Sequence, residues 1–272
     1  MSFKIGFTAE TERKGEELRT TVVPKKVNKF IKKSVVDVFF PDRHITCSYY
    51  NDSFNLKKGD IVYVDGKLEG IRGRVTNVNY TFKIKLSDYK RVIGVADTDV
   101  KGEFYHAGSH LITTDPYALT YEQIIAWFMA PSEEEDVISG EGREVIDLYD
   151  LNSMKIDKDT AERGHVYFLQ NRVAYIELKD GKGRAIVLGT KPYEVEFECD
   201  EGCNITGLVC NCYCTGTCKH EFATMLQLRE TLEMICDNYE KMNFGEYLAI
   251  VSKTVFYENA IMNKNQGKFI LG

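Results

Sequence analysis

Short runs of β-branched and aromatic residues, separated by turn residues, occupy the first part of the chain. Such runs predict strands when clusters of Pro, Asn, Asp, Ser or Gly lie between them. The predicted strands cover residues 20–23, 35–40, 45–50, 61–64, 74–78 and 81–86. Several short strands at this spacing favour a small barrel or sandwich, so we expect a β-barrel-like N-terminal part.

A second β-rich region lies between residues 166 and 199, with Asp180-Gly181 as a turn signal. Residues 193–199 alternate strictly between apolar and glutamate side chains, which indicates a half-buried strand. The runs at 166–168, 173–176 and 186–188 predict further strands. Apolar residues at helical spacing then predict a helix that covers this sheet: Phe222, Met225, Leu226, Leu232 and Ile235.

Two other segments show helical spacing. Residues 119–130 predict a short amphipathic helix that ends before Pro131, and the acidic, glycine-containing residues 132–142 predict a linker. Near the C-terminus we expect a helical tail. Its apolar face either covers the second β-rich region or docks a protein partner, and it consists of Phe244, Tyr247, Leu248, Val251, Val255 and Phe256.

Length and composition favour a soluble globular protein with two folded parts. The chain has 272 residues, of which 43% are hydrophobic and 28% charged, values that are ordinary for this class. We expect a basic β-rich domain over 1–115, a helix and acidic linker over 116–158, and a second domain over 159–272. No run is long and apolar enough to span a bilayer or to act as a secretory leader, so we expect a cytoplasmic protein without a membrane partner.

Charge is divided unevenly along the chain. Residues 1–112 contain 20 Lys and Arg against 14 Asp and Glu, a net charge of +6, whereas residues 113–272 contain 15 against 27, a net charge of −12. Phosphate contacts dominate nucleic-acid affinity and need cations. We therefore expect any nucleic-acid binding to lie in the N-terminal half, and little of it in the acidic half.

A cluster of cysteine and histidine residues provides the main candidate chemistry. Cys210 and Cys212 are followed, after five residues, by Cys218 and His220. Thiolate and imidazole are the ligands that zinc prefers, and a structural site fills all four positions with protein atoms. A Cys-x-Cys pair at a strand end and a Cys-x-His pair that opens a helix can close such a shell, so we predict one structural zinc ion.

Other cysteines leave the ligand set open. Cys214 lies within the cluster and could replace one of the four ligands, although three residues would then have to span the gap to Cys218. Cys199 and Cys203 are expected to be small core residues, because no further ligands accompany them. Eight cysteines in a chain without a secretory leader make a disulfide scaffold less favourable than a metal site.

The cysteine cluster and the residues before it resemble the SWIM zinc finger. The similarity covers about residues 160–235 and includes Arg163-Gly164, the turn Leu188-Gly189-Thr190 and the strand that begins at Pro192-Tyr193. The spacer of five residues is short for the family, and Cys214 within it is an addition. Membership would imply zinc binding and contact with nucleic acid or protein, and would not imply catalysis.

Residues 58–79 resemble the KOW motif of small SH3-like barrels, although any hairpin with a glycine-rich turn could give the same pattern. The motif residues are Gly59, Val62, Val64, Gly66, Gly70, Gly73, Val75 and Val78. KOW proteins often contact RNA or proteins of the transcription and translation machinery. Basic residues in and after this hairpin are candidate phosphate contacts, namely Arg72, Arg74, Lys83 and Lys85.

Catalytic patterns are weak. The sequence contains no phosphate-binding glycine loop, no nucleophile elbow and no dinucleotide fingerprint. His106 and His110 form a close pair, but they lack the glutamate of a metalloprotease helix, and we expect them on a surface loop. A closed four-ligand zinc site also leaves no position for a reactive water.

Together these patterns predict an α+β protein that is not an enzyme. Its expected parts are a small SH3/KOW-like β-barrel, a β-sheet plus helix zinc module of SWIM type, and a helical tail. The expected function is binding of DNA or RNA as an accessory protein. The alternative is a protein–protein adaptor in which zinc is purely structural and the tail docks the partner.

Overall fold

The computed structural model of the chain describes residues 31–131, 144–238, 247–262 and 270–271. Within these ranges the chain is mostly β-sheet, with two sheets and few helices. Three features predicted from the sequence lie outside the described residues: the strand at 20–23, the acidic linker at 132–142, and Phe244.

The first sheet contains five antiparallel strands in the order β2-β1-β4-β3-β5. Alternation places Val36, Val38 and Phe40 of the central β1 in a core, while the residues between them are only half-buried. The strands are β1 (Ser34–Phe40), β2 (Ile45–Asn51), β3 (Ile61–Val64), β4 (Gly73–Asn79) and β5 (Val92–Ala96).

This sheet is open, so the prediction of a small SH3/KOW-like barrel is wrong. The edge strands β2 and β5 meet near one bridge, between Tyr50 and Arg91, whereas a barrel needs a continuous ladder between its first and last strands. The KOW-like segment does form the hairpin of β3 and β4, with Ile61 opposite Arg74. Residues 81–85, predicted as a strand, are irregular and lead into a 3-10 turn at Leu86–Asp88.

The second sheet contains nine strands in the order β14-β6-β7-β13-β9-β10-β11-β12-β8, and its ladders are antiparallel except for the short pairing of β14 with β6. The strands from β9 to β12 form a meander. The bounds are β6 (Glu103–Ala107), β7 (His110–Thr113), β8 (Ile146–Asp147), β9 (Val173–Lys179), β10 (Lys182–Leu188), β11 (Pro192–Cys199), β12 (Asn204–Cys210), β13 (Tyr247–Ser252) and β14 (Ile270–Leu271).

Helices cover both faces of the second sheet. The helices α2 (Lys158–Leu169) and α3 (Lys219–Asn238) pack on one face, with residues of both in one apolar cluster with the sheet. The helices α1 (Tyr121–Phe128) and α4 (Lys253–Phe256) contribute to a cluster on the other face, and α4 continues into a π-helical turn, Tyr257–Ile261. None of the helices in the described ranges combines the length and the apolar character that crossing a bilayer requires.

The strand predicted at 166–168 is wrong, because these residues belong to helix α2. Asp157 caps its first turn by accepting a hydrogen bond from the amide of Thr160 at 3.0 Å, which satisfies a donor that the helix itself leaves free. Gly164 lets α2 approach α3 closely, because a Cβ at this position would lie 2.9 Å from the ring of Phe222. The pairing with α3, rather than local β propensity, therefore fixes this segment.

The predicted helical tail is also wrong. Residues 247–252 form β13, which lies between β7 and β9 inside the second sheet. All six side chains of β13 are buried, and Val255 and Phe256 of α4 are buried as well. Of the two alternatives for this apolar face, its described residues take the first: they pack in the protein's own core with the second sheet.

Contacts near α1 and α4 link the first sheet to the second. Arg72 donates a hydrogen bond to Asn259 Oδ1 at 2.7 Å, and the Tyr63 hydroxyl donates to the Ala126 carbonyl at 3.2 Å. Ile61 and Ala96 of the first sheet belong to the apolar cluster around α1 and α4. The two sheets therefore share a core region.

The position of β13 predicts a large effect of truncation there. Ile250 is fully buried between two neighbouring strands, so Ile250→Ala should lower the free energy of unfolding by about 2–5 kcal/mol. Thr254→Ala, at an exposed position four residues later, should change it by less than about 0.5 kcal/mol. Equal denaturation midpoints for the two variants would contradict the placement of β13 in the sheet.

Candidate metal centre

The four predicted ligands converge between the end of β12 and the start of α3. Cys210 is the last residue of β12, Cys212 lies in the loop that follows, and Cys218 and His220 flank the first residue of α3. One ligand atom from each residue lies within 4.8 Å of the other three. This is the group in the described part of the chain whose geometry could hold a metal ion.

Distances within the group fit a tetrahedral zinc shell. His220 Nδ1 lies 3.6 Å from the Cys218 sulfur and 3.7 Å from the Cys210 sulfur. Zinc bonds of about 2.3 Å to sulfur and about 2.0 Å to nitrogen place neighbouring ligand atoms about 3.6 Å apart in a tetrahedron. Three sulfurs and one imidazole are also the donor set of structural zinc sites. The residues present therefore fit a zinc ion.

The N-terminus of α3 holds Cys218 in place. The Cys218 amide donates to Glu221 Oε2 at 2.6 Å, and the Glu221 amide donates to the Cys218 sulfur at 3.5 Å. This reciprocal pair is a capping box in which a cysteine occupies the position usual for Ser or Thr. The helix cap and the metal ligand are therefore the same residue, which couples the helix start to the site.

Two aromatic rings position the His220 imidazole. The Tyr193 ring stacks on it with centroids 4.1 Å apart, and the Tyr167 ring meets it edge-on at 5.5 Å. With Nδ1 facing the sulfurs, Nε2 is buried and has no hydrogen-bond partner among the described residues. Ring packing, rather than a second hydrogen bond, therefore sets the orientation of this ligand.

Burial favours uncharged side chains in the metal-free site. It lowers the pKa of His220 to about 4, with a smaller effect from Lys219, so the imidazole is neutral at pH 7 and its Nδ1 lone pair is available. Hydrogen bonding with Cys210, followed by burial, raises the pKa of Cys218, and burial raises the pKa of Cys212 to about 11. A bound dication would reverse the preference of these thiols and stabilise the thiolates.

The remaining cysteines near the cluster lie outside this group. Cys214 is exposed in the loop between Cys212 and Cys218 and does not join the ligand atoms that converge. Cys203 is buried in the apolar core between the second sheet and α3, and Cys199 packs against that core. Both occupy positions expected of small apolar residues. His110 is buried, and its Nε2 lies 2.8 Å from the Val173 carbonyl oxygen, so the surface-loop position predicted for it is wrong.

The four predicted phosphate contacts differ in environment. Arg72 is half-buried by its bond to Asn259. Arg74 is exposed on β4, and Lys83 and Lys85 are exposed in the irregular segment that follows. Arg74, Lys83 and Lys85 are therefore accessible to solvent, while Arg72 contributes to the contact between the sheets.

Sequence patterns did not reveal the residues that surround His220. Tyr167 lies on α2 and Tyr193 is the second residue of β11, whereas His220 belongs to α3. Aromatic residues at such separations carry no shared periodicity. The Pro192-Tyr193 pair of the SWIM-like segment is the available signal for Tyr193, but it predicts only the beginning of a strand and not a contact with His220.

No protein-family model, curated protein or solved structure matches this chain. The resemblances to the SWIM and KOW families therefore rest on the quoted residues alone.

Loss of a ligand should remove the metal and destabilise α3. Cys210→Ser and Cys218→Ser should each abolish stoichiometric zinc and reduce the helical circular dichroism signal, because site and fold form together. Cys214→Ser, which changes an exposed thiol of the same loop, is the matched control and should retain about one zinc per chain. Elemental analysis of the purified proteins decides the ligand set, and equal zinc loss from Cys214→Ser would contradict it.

Zinc binding should release about three protons per ion at pH 7, one from each ligand thiol. The raised pKa of Cys218 keeps its thiol protonated before binding, and the lowered pKa of His220 means that the imidazole is already neutral and releases no proton when it binds the metal. The zinc affinity should therefore fall as the pH is lowered, since protons compete with the metal for the sulfurs. Calorimetric titration in buffers of different ionisation enthalpy measures the number, and release of one proton or fewer would contradict three thiolate ligands.

Proposed function

We propose that this chain is a non-catalytic nucleic-acid-binding protein in which one zinc ion has a structural role. The observation that supports the structural role is the Cys3His group, whose four ligand atoms lie within 4.8 Å of one another and would fill all four positions of a tetrahedral shell. Catalytic zinc sites keep a position for water or substrate. Cys218 and His220 are only 1% and 3% exposed, which also favours a structural ion over a reactive one.

The position of the site supports the same interpretation. It joins the end of β12 to the first turn of α3, and α3 is the long helix on this face of the second sheet. A metal that closes this short loop restricts the direction in which α3 leaves the sheet. Its binding free energy therefore contributes to folding free energy.

Charge supports binding of nucleic acid. The first 112 residues carry a net charge of +6, and Arg74, Lys83 and Lys85 present exposed side chains there. Exposed cations interact with phosphates through counterion release, which is insensitive to base sequence. The alternative, a protein–protein adaptor, has less support, because the described apolar residues of the segment that could have docked a partner lie in the core of the second sheet.

Salt dependence tests the proposal. The zinc-loaded chain should bind labelled oligonucleotides with an affinity that falls linearly, on logarithmic axes, as salt rises. Lys83→Gln with Lys85→Gln should weaken binding of all sequences and reduce the slope by about 0.7–0.9 for each lost phosphate contact.

The matched control is Lys179→Gln with Lys182→Gln, which removes two exposed lysines from the β9–β10 turn region. Fluorescence anisotropy over a salt series should show little change of slope for this control. Absence of measurable binding by the parent chain at low salt would refute the proposal.

A further inference from the structure

A surface beside the metal centre alternates tyrosine rings with positive charges. Its members come from α2, the turn before β9, the β10–β11 connection, β11 itself, the cysteine loop and the start of α3. We call it the tyrosine–cation surface, and it consists of Tyr167, Arg172, Lys191, Tyr193, Tyr213 and Lys219.

Contacts connect these residues through the His220 ligand. The Arg172 guanidinium lies 4.9 Å and the Lys219 ammonium 4.8 Å from the centre of the Tyr167 ring. Tyr167 and Tyr193 both contact the His220 imidazole. The surface is therefore a continuous series of rings and cations held by the metal ligand.

Lys191 extends the series toward solvent. Its ammonium lies 5.6 Å from the Tyr193 ring centre and 5.9 Å from that of Tyr213. The Tyr213 side chain is 96% exposed. The Tyr213 ring is therefore open to solvent next to a lysine. A flat, unsaturated ligand can stack on such a ring.

The positive charges of the three cations are not neutralised by carboxylates of the described residues. Within the described part of the chain, none of Arg172, Lys191 and Lys219 forms an ion pair with a carboxylate. Arg172 is partly engaged, since it donates to the Gln170 side chain at 2.7 Å. Lys191 and Lys219 contact the rings through cation–π interactions, which are weak at exposed sites and leave the ammonium accessible to an anion.

We propose that the tyrosine–cation surface binds single-stranded nucleic acid, with a base stacked on Tyr213 and phosphates beside Lys191, Lys219 and Arg172. Accessible rings next to unpaired cations are what sequence-tolerant single-strand binding uses. A duplex would gain less here, because its bases already stack on one another. This inference rests on the proposed function and specifies the form of nucleic acid and a surface for it.

The surface also changes the expectation drawn from net charge. Residues 113–272 carry a net charge of −12, and little binding was expected of them. Screening at physiological salt limits the reach of exposed charges to about 8 Å. The charge that acts at Tyr213 is therefore set by near neighbours such as Lys191, whose ammonium lies 5.9 Å from the Tyr213 ring centre, and not by distant carboxylates.

The test uses the zinc-loaded full chain and labelled single strands of oligo-dT and oligo-U, each about 15 nucleotides long, with a duplex of equal length. Tyr213→Ala should weaken single-strand binding about 5- to 150-fold, the range that loss of one base–aromatic stack gives. Lys191→Gln should lower the salt slope by about 0.7. Both variants should change duplex binding much less.

Matched controls separate this surface from general effects. Tyr213→Phe keeps the ring and should retain most of the affinity. Tyr117→Ala removes an 88% exposed tyrosine elsewhere, and Lys182→Gln removes an exposed lysine at the opposite end of β10 from Lys191. Neither control should alter single-strand affinity. Zinc content of every variant should equal that of the parent chain, since none of these residues is a ligand.

The outcomes distinguish the two proposals. If the parent chain binds single strands with a steep salt dependence while Tyr213→Ala and Lys191→Gln do so equally well, this surface is not the site and the proposed function stands. If the parent binds no nucleic acid, both fail. Competition by polyglutamate at equal charge concentration, with no effect of Tyr213→Ala, would identify a general anion surface and overturn the single-strand assignment.

Discussion

Convergence of four ligand atoms on one point is the constraint on which the second half of the fold depends. Cys210 ends β12 and Cys218 caps α3, so a metal bound by the four ligands would fix the turn between sheet and helix over a short loop. The direction of α3 then determines which of its faces meets the sheet, and Met225 and Leu228 are fully buried there. A loop this short and rich in polar residues has few apolar contacts of its own, so binding of a metal would supply free energy that orders it.

The central position of β13 is the second constraint, and it comes from residues far apart in the chain. β13 pairs with β7 on one side and with β9 on the other, and the adjoining π-helical turn provides Asn259 as a partner for Arg72 of the first sheet. C-terminal residues therefore complete both the second sheet and its contact with the first. Long-range pairing of this kind must overcome loop-closure entropy before its contacts form, which makes the buried side chains of β13 important for stability.

The metal centre and its surroundings show how local chemistry can differ from overall charge. An acidic half of the chain places three cations against three tyrosine rings beside the candidate metal centre. The His220 ring contacts two of these tyrosines, so a metal bound by His220 would also order residues that are not ligands. A metal held by this group would stabilise the surface that we propose for single-strand binding.

The sequence determined the features that depend on neighbouring residues. Alternation predicted strand 193–199, helical spacing predicted the helix after His220, and close spacing predicted the four ligands, which the structure brings together. Tertiary structure decided α2, the open first sheet and β13. All six residues of β13 are buried on both faces, so the segment has no alternation that could identify a strand. Its apolar residues satisfy a helical spacing equally well. The extended form is selected by pairing with the backbone N–H and C=O groups of β7 and β9, which lie on either side of it.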